Sequence, residues 1–236
     1  APIPAAGLCQ GNIRTFIPDV VQQTLPAPPP AYSTDPTSEF YQMNDMIYQI
    51  SLSLTPEDQR IIASWRDIPG VKLNGPTHIT AIVNDLIQQE GLDLADAAVL
   101  LAKQGMASSD AIAASFYAKY EYALIRPVTY IQNVMGHAEW NSVYPSPPHP
   151  SYPAVANSPI AAVVEILESF FGESYSFEDS TQEAMFGVFS YDSLDELIED
   201  SKRSRTHGGF NYQLSVDVAE EMGRAVGEEV NALDFR

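Results

Sequence analysis

The sequence predicts an all-α fold, a multi-helix bundle that forms a single domain. Three observations lead to this prediction. Apolar residues recur at helical spacing along most of the chain, and proline and glycine residues divide the periodic segments where helices begin or end. No stretch alternates apolar and polar residues around a hairpin turn, so the segment YSFED at 175–179 is the only candidate strand.

The first 38 residues differ from the rest, since they are rich in proline, alanine, serine and threonine. The run LPAPPPAYSTDPTS at 25–38 is typical of an extended, partly polyproline-like segment rather than of a folded unit. We therefore predict an extended N-terminal arm at 1–38, followed by a helical domain at 39–236.

Start and stop signals place the helices in order along this domain. Apolar residues at Phe40 and Ile47 belong to the stripe of the first helix. Thr55 and Pro56 begin the second with a capping hydroxyl and a proline in the first turn, and the sequence IPG at 68–70 ends it. The predicted helices cover 39–54, 55–67, a segment from Thr77 or Thr80 to 90, 93–105, 110–125, 128–136, 157–171, 193–203 and 211–232.

The middle of the chain is predicted to contain two separate helices. Gly105 is predicted to end the first of them, and Ser108 or Ser109 is predicted to cap the second. Arg126 followed by Pro127 is predicted to end the second helix, because the residue before a proline disfavours helical backbone.

The charge of the chain limits its partners. With 31 acidic and 12 basic residues the formal net charge is −19, and such a field repels nucleic acid and anionic membranes. No uninterrupted apolar run approaches about 18 residues. We therefore predict neither a nucleic-acid partner nor a membrane span, and a small anion only where the few basic side chains gather.

The N-terminal arm also bears on compartment and assembly. Cys9 is the single cysteine, which excludes an intramolecular disulfide. The opening APIPAAGLC is typical of a mature or trimmed terminus, so we expect either export, periplasmic or lipid-anchored, or a cytoplasmic location. Because the proline-rich arm could pack across a neighbouring copy, a homo-oligomer is a further expectation.

Two cations follow each other along one predicted helix. Lys119 and Arg126 share a helical face with Ile112 and Phe116, and they are two turns apart, or about 10 Å along the axis. Burying both would be costly without a counter-charge. The spacing alone therefore favours side chains that reach solvent or pair with acids.

A second basic cluster lies in SKRSRTHGGFN at 201–211. Its cations are followed by Gly208 and Gly209, which let the backbone turn closely before a helix predicted to start at Asn211. One interpretation is an anion site at that helix N-terminus, with Arg205 just upstream. The other is a helix C-terminus that carries cations and is ended by glycines.

Three segments in this order resemble a known superfamily. KYEYALIRP at 119–127 matches a lysine, six residues and Arg-Pro, PSYPAVANS at 150–158 takes the place of a Pro-Ser-Gly-His turn, and SRTHGGFNYQLSVD at 204–217 takes the place of a Ser-Arg, five-residue, His motif. This signature resembles the type 2 phosphatidic acid phosphatase and vanadium-dependent haloperoxidase superfamily, and especially its soluble haloperoxidase-like branch found in bacteria. The resemblance extends from about Ser108 to the C-terminus and implies the helical bundle of that superfamily.

The resemblance also implies the residues of a site. Members of the superfamily hold phosphate or vanadate between a lysine, two arginines, a serine hydroxyl and a glycine N–H. Lys119, Arg126 and Arg205 occupy the lysine and arginine positions. The serine and glycine positions are occupied here by Ala154 and Val155.

Two histidines carry the chemistry of the superfamily, and the resemblance places other residues at both positions. Asn211 stands where the nucleophilic, vanadium-binding histidine is expected, and Ala156 stands where the general acid or base is expected. An amide is neither a nucleophile for phosphoryl transfer nor a good metal ligand, and alanine carries no proton. Gly208 and Gly209 complete the predicted lining of the site.

The resemblance therefore implies a helical protein that has lost the catalysis of its relatives and keeps their cation cluster. No catalytic residue and no metal site is predicted. The expected ligand is a small oxyanion such as phosphate or sulfate, or a phosphorylated small molecule. Vanadate or phosphate as a cofactor is implied by the resemblance only.

Two alternatives stay open. An active haloperoxidase or acid phosphatase with a rearranged site would need His149 or His207 to reach the place of a missing histidine. A structural or partner-binding role would pair the cations with acids such as Glu121 or Asp217. The remaining histidines are predicted to lie at the periphery, His78 and His137.

Overall fold

A computed structural model describes residues 5–66 and 75–235. The predicted all-α bundle is confirmed, with one short β-hairpin in addition. The helices are α1 Val20–Gln23, α2 Glu39–Ser51, α3 Pro56–Ser64, α4 Gly75–Gln89, α5 Leu94–Tyr122, α6 Pro127–Asn133, α7 Ser158–Phe171, α8 Glu183–Phe186, α9 Leu194–His207 and α10 Gln213–Asn231. The candidate strand is present as β1, Phe177–Asp179, which pairs antiparallel with β2, Phe189–Tyr191.

The core of the bundle is built where α5, α7 and α10 pack together. The first seven residues of α7 are all buried, so the first two turns of this helix lie inside the molecule with neighbours on all sides. Gly223 and Gly227 bring α10 against α7 at backbone distance. A Cβ atom added at Gly223 would lie 2.3 Å from the carbonyl oxygen of Ser158, in the first turn of α7. The two glycines of α10 therefore allow the first turns of α7 to pack directly against the α10 backbone.

The start of α3 forms as predicted. The Thr55 hydroxyl accepts a hydrogen bond from the N–H of Asp58, and the Asp58 carboxylate accepts one from the N–H of Thr55. Pro56 occupies the first helical position, where no N–H partner is needed. The sequence IPG, which was predicted to end this helix, lies outside the described residues.

The middle of the chain differs from the prediction, because α5 is one continuous helix of 29 residues. Gly105 lies on an exposed face without a positive φ angle, so it is not the left-handed residue that ends a helix. Ser108 does not cap a new helix; its hydroxyl accepts a hydrogen bond from Gln104, one turn earlier. A glycine costs a helix about 1 kcal/mol, which the burial of residues such as Ala107 and Ala111 in the core offsets.

Two other helix ends also differ from the prediction. The helix α5 ends at Tyr122, because Ala123 takes the left-handed conformation with φ of 48°, and Arg126 lies beyond it as the residue before α6. The helix α9 extends to His207 instead of ending at 203.

The described part of the N-terminal arm contains a 3₁₀ helix, Gln10–Asn12, and α1, and otherwise consists of turns and irregular segments. Both carboxylate oxygens of the buried Asp110 accept hydrogen bonds from the backbone of the arm, at Phe16 and Ile17. Farther along, tyrosine hydroxyls of the bundle donate to its carbonyl oxygens, as at Tyr130 and Ser33. The arm therefore lies against the bundle over much of its length. Within the described ranges, no helix combines the length and the apolar character that crossing a membrane requires.

Candidate functional site

A cavity of about 270 Å³ opens where the end of α5, the start of α6, the turn before α7 and the end of α9 meet. It brings together residues that are up to 201 positions apart in the sequence, from Gln10 to Asn211. Six of the residues predicted for a site line this cavity, Lys119, Arg126, Val155, Ala156, Arg205 and Asn211.

Lys119 lies in the last turn of α5 and is fully buried. Its Nζ atom donates to the carbonyl oxygens of Pro150 at 2.6 Å and Pro153 at 2.5 Å, with that of Ser151 farther away at 3.4 Å. Burial, followed by the charges of Arg126 and Arg205, holds the pKa of Lys119 well below its usual value of 10.5. The expectation that this side chain reaches solvent or an acid is wrong, because the turn before α7 surrounds it with carbonyl groups.

Arg126 is only 7% exposed, so the same expectation is wrong for this residue. It stands in extended conformation before α6, so the prediction that it shares a helical face with Lys119 is wrong. Its guanidinium donates to the carbonyl oxygens of His149 at 2.8 Å and Phe210 at 2.7 Å, and to Nδ1 of His149 at 3.0 Å. Burial and the charge of Arg205 lower the pKa of Arg126 to about 9, which leaves it charged at neutral pH.

The partners of these two cations carry no negative charge. Lys119 and Arg126 bind carbonyl oxygens, an imidazole nitrogen and an amide oxygen, and neither forms an ion pair with a residue in 5–66 or 75–235. Asp217 instead pairs with Lys202 at 2.9 Å, and Glu121 is exposed. The predicted pairing of Lys119 and Arg126 with such acids is therefore wrong.

Arg205 reaches the same cavity from the last turn of α9, where it is 7% exposed. Its guanidinium carbon lies 4.5 Å from the centre of the Phe210 ring, and its Nε lies 3.4 Å from Oδ1 of Asn211. Because α9 ends at His207, the cations of this segment lie near a helix C-terminus, which was one of the two interpretations of the basic cluster at 201–211. Lys202 and Arg203 face away from the cavity and pair with carboxylates.

Asn211 forms hydrogen bonds to three of the segments that build the cavity, and it is 2% exposed. Its Oδ1 accepts from Arg126 at 3.3 Å and from Arg205, and its Nδ2 donates to the carbonyl oxygen of Ser151 at 2.7 Å. Both ends of the amide are thus engaged, and the orientation of the side chain is fixed by its neighbours.

The remaining predicted positions lie beside the cavity and do not line it. The N–H of Ala154 donates to the carbonyl oxygen of Ser215 at 2.8 Å, which fastens the turn before α7 to the start of α10. Gly209 has a φ angle of 75° and packs against Trp140, so that a Cβ atom there would approach the indole to 3.0 Å. At Gly208 a Cβ atom would collide with the ring of Phe210. Both glycines shape the turn after α9.

His149 is the histidine that enters the cavity, where its ring meets that of Phe116 edge to face at 5.4 Å. An arginine can only donate, so Nδ1 accepts from Arg126 and the neutral ring carries its proton on Nε2. Burial, then the charges of Lys119 and Arg126, lower the pKa of His149 to about 3. At neutral pH the ring is uncharged.

The other histidines lie elsewhere. His207 is 3.5 Å from Asp58, between α3 and α9, and His137 stacks on Tyr48 at 3.9 Å. His78 is buried beside Asp179 at 2.8 Å, so the expectation of a surface position is wrong for it. Among residues 5–66 and 75–235, no group of three or more histidine, cysteine or acidic side chains is arranged to hold a metal ion.

Sequence reasoning missed Gln10, which the N-terminal arm contributes to the wall of the cavity. No local signal marks it, because it is more than 100 positions from Lys119 and reaches the cavity only through the packing of the arm on α5. The carbonyl groups that bind Lys119 were missed as well, because the types of side chain in a segment do not reveal the path of its backbone.

The fold and the cavity can be compared with known proteins. The crystal structure of the first bacterial vanadium-dependent iodoperoxidase superposes with a TM-score of 0.91 at 28% sequence identity, over 98% of this chain and 58% of that one. The apo and holo crystal structures of a bacterial vanadium-dependent chloroperoxidase share the fold, with TM-scores of 0.75 and 0.71 at 18% identity, over 96% of this chain and 56% and 55% of theirs. The chain thus spans less than 60% of the length of each of these structures.

No curated protein sequence matches the chain. The sequence profile of the VCPO second helical-bundle domain matches residues 99–234, which include α5 to α10 almost entirely and Lys119, Arg126, Arg205 and Asn211 among the cavity residues. Because this match covers more than half of the chain, the protein belongs to the VCPO second helical-bundle domain family, with the fold of the vanadium haloperoxidases.

Proposed function

We propose that this haloperoxidase-like helical protein binds a small oxyanion in the cavity and no longer catalyses a haloperoxidase or phosphatase reaction. One observation carries the proposal. Lys119 and Arg126 are 0% and 7% exposed and lie at one cavity, and their hydrogen-bond partners among the described residues are all neutral. A bound anion would supply the opposite charge that these neutral partners do not provide.

The energetics of burial support an anion at this place. Removing a charge from water is expensive unless an opposite charge or well-placed dipoles replace the solvent. The carbonyl oxygens around Lys119 and Arg126 supply dipoles but no charge. A phosphate or sulfate dianion would offset the two charges, and it would raise the lowered pKa of Lys119 because an opposite charge favours the protonated amine.

The geometry also indicates which groups would contact the anion. The Nζ atom of Lys119 is directed at three carbonyl oxygens, so it contributes mainly through its charge. The guanidinium of Arg126 is likewise directed at the carbonyl oxygens of His149 and Phe210, and together with Arg205 it concentrates positive charge on one side of the cavity. We therefore place the anion on the side of the cavity formed by these two arginines.

Vanadate as a covalently held cofactor does not fit the same residues. Such a bond needs an imidazole nitrogen with a free lone pair, and Asn211 offers only an amide. His149 lines the cavity, but its Nδ1 accepts from Arg126 and its Nε2 carries the proton. Noncovalent vanadate, like phosphate, remains compatible with the arginines.

The loss of catalysis is proposed from the chemistry of the residues present. Asn211 is no nucleophile, and Ala156 cannot move a proton. With a pKa of about 3, His149 is a weak base and is not protonated at neutral pH, so it cannot serve as a general acid there.

The alternative of an active enzyme with a rearranged site is favoured by one observation, the presence of His149 in the cavity. If that alternative holds, p-nitrophenyl phosphate is hydrolysed, or bromide is oxidised by hydrogen peroxide when orthovanadate is added, and His149→Gln abolishes the reaction. We expect neither reaction in the purified protein. A turnover that His149→Gln or Lys119→Met removes would overturn the noncatalytic proposal.

Oxyanion binding is tested by thermal unfolding with millimolar phosphate or sulfate. Binding to the folded state raises Tm by mass action, by an amount that grows with ligand concentration. Arg205→Ala is expected to remove the ligand-induced shift. Arg203→Ala is the matched control, since Arg203 is two residues away on α9 and pairs with Asp58 outside the cavity. An unchanged Tm of the parent protein at all anion concentrations would contradict the proposal.

A further inference from the structure

A second cavity, of about 250 Å³, adjoins the first and shares Pro147 and Arg205 with it. Its other described walls are formed by Arg66, Tyr144, Pro145 and Phe210. Arg205 is the charged side chain among those that line both cavities, so it lies at the boundary between them. A ligand bound by Arg205 in the first cavity can therefore extend into the second.

Flat surfaces dominate the second cavity. The guanidinium of Arg66 lies over the ring of Tyr144, 3.7 Å from its centre, and that of Arg205 lies over the ring of Phe210 at 4.5 Å. Aromatic rings, guanidinium planes and proline rings are the surfaces on which planar π-systems stack. The wall thus selects for a planar group rather than for a flexible chain.

The size of the second cavity agrees with one ring system. A cavity of about 150 Å³ is enough to hold benzene, so about 250 Å³ accommodates one ring or two fused rings. A bare phosphate or sulfate ion would occupy the first cavity and leave the second without a partner. A long acyl chain would exceed the room available.

The aromatic wall is held in place before any ligand binds. The N–H of Val143, next to Tyr144, donates to the carbonyl oxygen of Gly208 at 2.9 Å, which ties this segment to the turn after α9. The Ser142 hydroxyl donates to the carbonyl oxygen of Tyr144 at 2.6 Å. Phe210, at the end of the same turn, is 4% exposed. The two rings are therefore positioned by the backbone that also positions Asn211.

We infer that the two cavities together bind an aromatic monoester of phosphate or sulfate, with the oxyanion at Arg126 and Arg205 and the ring between Tyr144 and Phe210. This inference rests on the proposed oxyanion site and names the class of its ligand. The ester linkage would lie beside Arg205, which stands at the boundary of both cavities.

The experiment compares four ligands by isothermal titration calorimetry: inorganic phosphate, inorganic sulfate, 1-naphthyl phosphate and 1-naphthyl sulfate. We expect at least one aromatic ester to bind about tenfold or more tightly than the corresponding inorganic ion, because a ring is removed from water. Tyr144→Ala is expected to remove most of that preference and to change the affinity for the inorganic ion by less than about twofold. Tyr144→Phe, which keeps the ring, is expected to retain the preference.

Three outcomes would overturn the inference. If the inorganic ions bind and the aromatic esters bind no better, the second cavity does not hold the ring, while the proposed oxyanion site stands. If the aromatic esters bind better but Tyr144→Ala keeps the preference with its thermal unfolding unchanged, the ring lies elsewhere. If none of the four ligands binds, the oxyanion site fails and the inference fails with it.

Discussion

Lys119 and Lys202 are each held by three oxygen-bearing partners, yet they represent opposite ways of placing a cation. The Nζ atom of Lys202 lies within 3.0 Å of carboxylates of Glu199, Asp217 and Glu220, whereas that of Lys119 is directed at three backbone carbonyl groups. Although burial alone lowers the pKa of Lys202, the hydrogen bonds to its acids raise it above 10.5, while the pKa of Lys119 is held well below that value.

The same contrast separates two arginines. Arg224 pairs with carboxylates of Glu165, Glu168 and Asp195, whereas the partners of Arg126 in the described part of the chain are neutral groups. In a chain with 31 acidic residues, carboxylates are available to balance cations, and they do so at Lys202 and Arg224. The cavity is thus positive by its position in the fold, in spite of the net charge of −19.

The largest expected effect on stability comes from removing one arginine from each region. Arg126→Ala leaves buried acceptors at His149 and Phe210 without a donor, so we expect the free energy of unfolding to fall by about 3 kcal/mol or more. Arg224→Ala breaks ion pairs that water still reaches, and about 1 kcal/mol is expected. Urea unfolding of both variants measures the difference. Equal losses would show that the carbonyl network around Arg126 is not specially stabilising.

An intermediate effect is expected from the pH dependence of stability. The pKa of His149 is about 3 in the folded protein and near 6.5 in an unfolded chain, so the unfolded chain takes up the proton first as the pH falls. Stability from the neutral ring is complete above pH 6.5 and is lost toward pH 3. After allowance for its partial exposure, we expect a loss of about 1–2 kcal/mol between pH 6.5 and 4.5.

The variant His149→Gln isolates this contribution, since an amide oxygen can still accept from Arg126 but does not titrate. Its stability should fall less than that of the parent protein over the same pH range. His137→Gln, at the stacked histidine outside the cavity, is the control and should follow the parent. Parallel curves for all three proteins would contradict the placement of a neutral His149 between the cations.

The smallest effect concerns salt. Lys202→Met should lower the free energy of unfolding by about 1 kcal/mol at low ionic strength and by about half as much in about 0.5 M sodium fluoride. Salt screens the partly exposed ion pairs of Lys202 and so weakens them. The cost of Lys119→Met should not fall with salt, since its partners are buried carbonyl groups. Urea unfolding at the two salt concentrations measures both costs, and a salt-dependent cost at Lys119 would remove the distinction.

Much of the fold could be predicted, because its determinants are local. The hydroxyl and proline at Thr55 and Pro56 start a helix whatever surrounds them, and the capping box is present. The break predicted at Gly105 fails, because burial along α5 outweighs the intrinsic cost of one glycine. A local rule was overridden there by packing, which the sequence alone does not display.

The site divides in the same way. The positions of Lys119, Arg126 and Arg205 were predicted from motifs, and the structure brings these side chains to one cavity. Their burial was not predicted from spacing, because the groups that make burial tolerable are carbonyl oxygens of a turn. The second cavity was missed as well, since Tyr144 and Arg66 become neighbours only through the path of the chain between α6 and α7.

The close approach of α10 to α7 sets the dimensions of the ligand site. Val155 and Ala156 line the first cavity and lead directly into α7, whose first turn touches the bare backbone of Gly223. A methyl group at that point would lie 2.3 Å from the carbonyl oxygen of Ser158, so the first turn of α7 and the residues just before it would have to shift. The position of part of the cavity lining therefore depends on a residue that has no side chain and does not itself line the cavity.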